Sequence, residues 1–488
     1  MQPRLPNTSL SLFVVLFCAP AAAQGQAAVK LTADDVARRV LTSSYEVEAH
    51  AHELEAARAG VDQANAGYYP RLTAAARYTR LSDVENAALG NLVLAPMAQP
   101  GPLDDGDQLV AVPLSFPNVL NQYSLSAQLQ VPLSDYLLRV PHATESASAN
   151  EKASALTLEA ARLRVATEAR KLFYAWMQSR LQLNVAEQTV VQTNAHLADS
   201  RKLLEAGMIS NADVLSAEAQ VAQSELLLER AKNAAAFNER RIRTAMHDPG
   251  NAPYDLGETV VEEGGFKPAP TSAGPVATSP SDVGAGLNPP SSNGPRLERQ
   301  ALERRLELKA IEQSRRALGE QASAVRVQNL PRLDGTAELT YANPNQRFVP
   351  QRAEFDATWS LGVQLSWTPT DIAGTSANAR GVDARAAALR SQQRAQSDAI
   401  KLEVARAVQA QDEAAKAIDT SQRRLRAAEE AYRVRTLMFQ NGRGTGVEVT
   451  DAEVELTRAR LELIAAQVGL RVAQVELAHA SGANVGSK

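Results

Sequence analysis

The sequence predicts an α+β membrane protein built from one helix-strand-strand-helix unit written twice. Three observations carry this. Each half contains two segments in which apolar and polar residues alternate. Each half also contains a helix-forming run, 142–206 or 376–441, far longer than the helices of a compact domain. Landmarks in the first half recur in the second at nearly constant offsets.

The alternation is clearest in 355–367. Phe355, Ala357, Trp359, Leu361, Val363, Leu365 and Trp367 are apolar, while Asp356, Thr358, Ser360, Gly362, Gln364 and Ser366 are small or polar. Successive side chains of a strand point to opposite faces, so this segment has one greasy and one wet face. Aromatics at both ends and in the middle give the pattern of a strand with lipid on one side and water on the other. Taken alone, the segment also fits a half-buried strand of a soluble sheet. Trp359, Leu361 and Trp367 are the candidate lipid-facing residues, and Ser360 and Gln364 the candidate pore-lining ones. In 123–133, Tyr123, Leu125 and Leu129 take the greasy face and Gln128 the wet one. Segments 71–81 and 333–341 alternate in the same way, so the strands pair as hairpins over 71–133 and 332–368.

The long runs are helical. Residues 142–206 hold no proline, and their large residues recur by seven: Trp176, Leu183, Val190, Leu197, Leu204. A seven-residue period keeps one seam facing a partner helix. The second run repeats it with Ile418, Leu425, Tyr432 and Phe439, an offset of 418 − 183 = 235. Gly207 and Gly442 end the two runs at the same offset, and helices 211–247 and 446–480 follow. Pro70-Arg71-Leu72 recurs as Pro331-Arg332-Leu333 (331 − 70 = 261), and SLSAQLQVPLSD from Ser124 as SLGVQLSWTPTD from Ser360 (360 − 124 = 236). The first hairpin loop is therefore the longer by 261 − 236 = 25 residues.

The chain thus divides into a leader (1–23), a first repeat (24–247), a Pro/Gly/Ser-rich insert (248–295), a second repeat (296–481) and a tail (482–488). Each repeat opens with one helix, 31–66 or 297–328. The leader has Arg4, the short apolar run 10–19 and the small residues Ala21-Ala22-Ala23, the pattern of a secretory signal cleaved before Gln24. Cys18, the single cysteine, lies inside it. Lipid attachment at Cys18 is the competing reading, against which Phe17 is bulky where that processing wants a small residue.

Net charge is −4, giving no pull toward nucleic acid. His50 and His52 stand two apart and do not share a helical face, so no metal site is expected. Gly442-Arg443-Gly444-Thr445-Gly446 follows a helix, not a strand, and reads as a turn rather than a phosphate loop. There is no cysteine nucleophile or supported Ser/His/Asp set. Neither a cofactor nor enzymatic activity is expected.

Four strands cannot close a barrel, and lipid does not tolerate an open sheet edge. The chain is therefore expected to oligomerise, each copy supplying a sector of one barrel. Its long helices would continue that barrel as a tube. A secreted periplasmic coiled-coil scaffold with a small soluble sheet is the alternative.

The doubled unit, the strand entries YYPRL and NLPRL, the turns EAGMISNADVLSAEAQ and QNGRGTGVEVTDAEVE, and the insert between the halves resemble the TolC-like outer-membrane efflux proteins across the mature chain. The resemblance implies a homotrimer in the Gram-negative outer membrane. Its twelve-stranded barrel would continue as a periplasmic α-helical coiled-coil barrel. It implies the exit duct of a tripartite efflux or type I secretion system. The partners would be a periplasmic adaptor (membrane fusion) protein and an inner-membrane transporter of resistance-nodulation-division, ABC or major-facilitator type. The adaptor would meet the turns Ala206-Gly207-Met208 and Asn441-Gly442-Arg443. Glu448 and Asp451 would narrow the periplasmic aperture, where clustered carboxylates disfavour anions; ordinary helix N-terminal charge is the competing reading of both. In the family an arginine and a tyrosine of the second half close the tip against an acid of the first. Asp213 fits the acid, but Phe439 and Gly444 stand at the other two positions, so Arg443 is the expected substitute.

Overall fold

The computed structural model describes residues 29–84, 90–94, 110–113, 119–250, 252–258, 294–349 and 351–483. The leader with Cys18, most of the insert and the end of the tail lie outside the described residues. In chain order the elements are β1 (Val29–Leu31), α1 (Ala33–Ser43), α2 (Tyr45–Asn65), β2 (Arg71–Arg80), β3 (Asn91–Leu94), β4 (Val110–Pro113), β5 (Asn121–Val131), α3 (Leu133–Glu205) and α4 (Asn211–Ala245). Then follow β6 (Tyr254–Leu256), α5 (Gly294–Arg304), α6 (Leu306–Val327), β7 (Arg332–Asn343), β8 (Asp356–Ser366), α7 (Ile372–Gln440) and α8 (Gly446–Ala480). The described residues fall into two compact units, one within 1–40, 169–277 and 420–468, the other within 41–168, 278–419 and 469–488. Each unit takes pieces of both repeats, because α3 and α7 contribute to both.

The second unit holds the sheet. Its four strands run in the order β2-β5-β7-β8, every neighbouring pair antiparallel. Among the described residues, β2 and β8 each have one edge unpaired within the chain. The two hairpin loops leave one end of the sheet, and the connections to α2, α3, α6 and α7 leave the other. In the same unit Ala301, Leu308, Ile400, Val404, Ala407 and Ala480 form a buried cluster.

In the first unit α3 packs on α4 through Leu197, Val214, Ala217 and Val221. α7 packs on α8 through Ala428, Leu456 and Ala459, with Leu425 and Tyr432 against them. Trp176 and Phe439, both seam positions, are among the largest fully buried side chains.

Several boundaries differ from the sequence reading. The opening helix of each repeat is broken. Ser44 (φ −72°, ψ 118°) separates α1 from α2, and Arg305 (φ −58°, ψ 122°) separates α5 from α6. The two breaks are repeat-mates, since 305 − 44 = 261, the offset of the prolines. Ser44 caps α2 by accepting from the Val47 amide. Arg305 has no capping oxygen. Instead its buried guanidinium pairs with Glu307 and Glu403 and donates to the His479 and Ala480 carbonyls at the end of α8. These contacts, not local propensity, fix its extended backbone.

α3 begins at Leu133, not His142, and carries Pro141 within it. The long hairpin loop contains its own small pair, β3 with β4. The insert does not begin at 248 as featureless chain. β6 pairs in parallel with β1, and Tyr254 is buried edge-on against Trp176, ring centroids 6.5 Å apart. Its hydroxyl donates to Asp248, and Arg243 covers the ring at 4.1 Å. Burial pushes the Tyr254 phenol up to about 12.

The 235-residue offset reaches the end of both repeats. His247 (φ 50°) and Gly482 (φ 68°) are left-handed residues just past α4 and α8, with 482 − 247 = 235. Each closes its helix by the paired amide-to-carbonyl bonds of a left-handed C-cap.

Candidate functional site: a two-faced sheet and a pair of turns

Register aligns the alternating residues of the four strands into two continuous faces. Leu72, Leu129, Ala337 and Leu361 form one row, and Ala74, Ala127, Leu339 and Trp359 the next. These apolar residues lie open in the single chain; Trp359 is 71% and Leu361 77% exposed. Soluble sheets bury such a face, so a greasy surface of this extent needs an apolar covering. Tyr123, Leu125 and Leu129 share it. At the hairpin end it carries an aromatic cluster. Tyr78 lies 5.0 Å from Tyr123, Tyr123 6.2 Å from Phe355, and Phe355 5.1 Å from Tyr341. At the helix end Trp367 donates its indole N–H to the Asn329 carbonyl at 3.1 Å.

The opposite face is polar. Thr73, Gln128, Glu338 and Ser360 form one of its rows, and Gln364 stands further along β8. The turn after β7 folds over this face. Buried Asn345 donates to the Asp356 carbonyl and the Thr358 hydroxyl, and Arg347 donates to the Trp359 carbonyl at 2.9 Å. Beneath it is a cavity of about 630 Å³, lined among others by Arg77, Gln122, Glu338, Thr340 and Ser360.

The turns joining α3 to α4 and α7 to α8 are built alike. Gly207 (φ 73°) and Gly442 (φ 68°) adopt the left-handed conformation that side chains disfavour. In the first turn Gly207 N–H bonds Leu204 O and Met208 N–H bonds Leu203 O; in the second Gly442 N–H bonds Phe439 O and Arg443 N–H bonds Met438 O. The next helix then starts on a reciprocal cap. Ser210 and Asp213 exchange bonds in one turn, Thr445 and Glu448 in the other. The two turns touch: a Cβ on Gly442 would come within 3.0 Å of Met208 Cε, and one on Gly446 within 3.3 Å of the Asp213 side chain. At Gly207 a Cβ would meet nothing. Gly207→Ala is expected to cost about 1 kcal/mol, the left-handed penalty alone. Gly442→Val, crowded by Met208, is expected to cost more; denaturant unfolding of the two variants checks the order.

The sequence-predicted aperture residues are thus only partly brought together. Asp213 is held by Ser210, and Glu448 by the Thr445 amide and by Arg435 at 2.7 Å. The Thr445 amide, then Arg435, holds the Glu448 carboxyl below the usual range. Asp451 is exposed. Arg443 is exposed and, among the described residues, has no ion-pair partner in the chain; Gly446, not Arg443, lies against Asp213. Phe439 is buried, its ring tilted against that of His196 with centroids 5.2 Å apart. Arg435 escaped the sequence reading because nothing in its spacing points across the turn to Glu448. Ala206, Gly207, Met208, Asn441, Gly442 and Arg443 are all exposed.

Among the described residues no cluster of potential metal ligands occurs, and no helix is long and apolar enough to cross a membrane. A family model described as outer membrane efflux protein matches residues 36–246 and 297–483, leaving out the insert. No curated protein matches the chain. Three solved channels resemble it in fold. OprN has a TM-score of 0.68 at 20% identity, covering 93% of this chain and 90% of its own. CmeC of Campylobacter jejuni has 0.68 at 13%, covering 99% and 94%. The open state of MtrE of Neisseria gonorrhoeae has 0.68 at 15%, covering 99% and 98%.

Proposed function

Because the chain belongs to the outer membrane efflux protein family, we propose that three copies join into one outer-membrane barrel and form the exit duct of a tripartite efflux or type I secretion system. The observation that carries this reading is the sheet: a continuous exposed apolar face, a polar reverse face, and an unpaired edge on each side. Bilayer hydrocarbon cannot satisfy those edge amides and carbonyls, so β8 of one copy must pair with β2 of the next. Three chains of four strands then close a barrel within the known range of strand numbers. Tyr123, Leu125, Leu129, Trp359, Leu361 and Trp367 face lipid, and Gln128, Ser360 and Gln364 face the water-filled lumen.

All helix connections leave one end of the sheet, which suits a periplasmic tube below the barrel. The exposed turns around Gly207 and Gly442 are the contact points for a periplasmic adaptor. Through it the duct serves an inner-membrane transporter, which selects the cargo. Threefold symmetry brings three copies each of Glu448 and Asp451 around the aperture, giving it a cation preference. Arg443, with no ion-pair partner among the described residues, is free to reach a neighbouring copy and hold the tip closed. Arg443→Ala is expected to raise the conductance of the resting channel in planar bilayers; unchanged conductance would remove Arg443 from that role. Fractionation tests the reading as a whole. The protein should appear in outer-membrane fractions as a heat-modifiable trimer, whereas a soluble periplasmic monomer would mark it as a scaffold.

A further inference from the structure

The two helical hairpins differ at one matched set of positions. In the first, Glu218 of α4 is met by Arg201 of α3 at 2.8 Å. The repeat offset carries Glu218 to Glu453 (453 − 218 = 235), Arg201 to Thr436 (436 − 201 = 235) and Leu197 to Tyr432 (432 − 197 = 235). The second hairpin has kept the acid and lost its cation. Glu453 is only 4% exposed and lies between Val449 and Leu456 along buried positions of α8. One carboxyl oxygen is 3.5 Å from the Tyr432 hydroxyl, and the other has no hydrogen-bond partner among the described residues.

The other ionisable groups of this region do not make good the loss. On α7, Arg435 is bonded to Glu448, and on α8, Arg460 is bonded to Gln192 of α3. On α3, His196 is buried with Nε2 unpartnered, and burial lowers its affinity for a proton against the pull of Asp199. An ionised carboxylate with no cation in a packed seam is strongly disfavoured.

We propose that Glu453 is a proton switch in the α7–α8 hairpin: protonated, it lets the two helices close beside the turn; ionised, it loosens them. Burial pushes its carboxyl from 4.5 to about 7. In a loosened seam the group meets water and ionises in the ordinary range, whereas the closed seam holds the proton up to about 7. The closed state is therefore fully favoured at acid pH. It loses ground as pH rises through the interval between those values, and it stays weakened above it.

Hydrogen exchange on the full detergent-solubilised protein tests this, and it needs no channel activity. Exchange in 425–456 is compared with that of the matched hairpin, 190–221, at about pH 5.5, inside that interval, and about pH 8, above it. The ratio should rise on the order of tenfold or more at the higher pH. Glu453→Gln, which cannot ionise, should abolish the rise. Thr436→Arg, which puts a cation where Arg201 stands, should also flatten it. A wild-type ratio that does not change with pH, or an unchanged rise in Glu453→Gln, overturns the proposal. Conductance of the same variants then reports whether loosening opens the duct; a missing channel would count against the export reading, not against the switch.

Discussion

Leu361→Arg is expected to strip the protein of most of its assembled trimer. Leu361 lies mid-strand in β8, in a row with Ala337, Leu129 and Leu72, and is 77% exposed in the single chain. On the lipid side an arginine near the bilayer midplane costs roughly 2–4 kcal/mol per site, and a trimer carries the substitution three times. Ser360 is the adjacent residue and points the other way, into a row with Glu338, Gln128 and Thr73. Ser360→Arg should therefore assemble normally and lower conductance, because a long cation has been added to the proposed lumen. The heat-modifiable trimer in outer-membrane fractions and single-channel current separate the two effects. Equal damage from both would reverse or void the facing of all four strands, since register locks them together.

Trp176→Ala is the second large effect, expected to destabilise the helical unit by about 3–5 kcal/mol. Trp176 is fully buried, with Phe173 at 5.8 Å and Tyr254 at 6.5 Å, both edge-on. Removing it opens a cavity under β6 and should release that strand from β1. Tyr254→Phe separates packing from hydrogen bonding. It keeps the ring under Arg243 and loses only the bond to Asp248, so its cost should be a minor fraction of that of Trp176→Ala. Thermal unfolding of the two variants, with protease sensitivity at 252–258, checks both.

These cases also mark how far the sequence could be read. The facing of Leu361 and Ser360 was legible because alternation has a period of two and the strands are long enough to show it. Doubling then converted one ambiguous segment into four. The turns were legible for the same reason: Gly207 and Gly442 share an offset, and only glycine suits their backbone. β1 and β6 were not legible, being three residues each, too short for any periodic signal. Arg305 was not legible either. It is a good helix former that breaks a helix because Glu307, Glu403 and the end of α8 hold its guanidinium. Its repeat-mate Ser44 carried the signal, in a Ser-Ser-Tyr-Glu start, and the offset could have transferred it. At the tip, Asp213 and Glu448 are aperture acids only by the resemblance. The structure adds that each also caps its own helix, so replacing either changes local stability as well as charge. Arg443 and Phe439 show the limit of transferring roles by position, since Phe439 is buried in the seam and Arg443 stands apart from Asp213.

In the trimer we propose, the open edges of the sheet are closed by two further copies. Cysteines on the two unpaired edges test it most directly. Ala75→Cys on β2 is combined in turn with single cysteines along Thr358–Ser366 on β8, and oxidation is followed by denaturing gel electrophoresis. At the matching register the chain should cross-link in a ladder that ends at three chains. A ladder continuing past three, or a chain that stays monomeric at every register, would contradict a closed trimeric barrel.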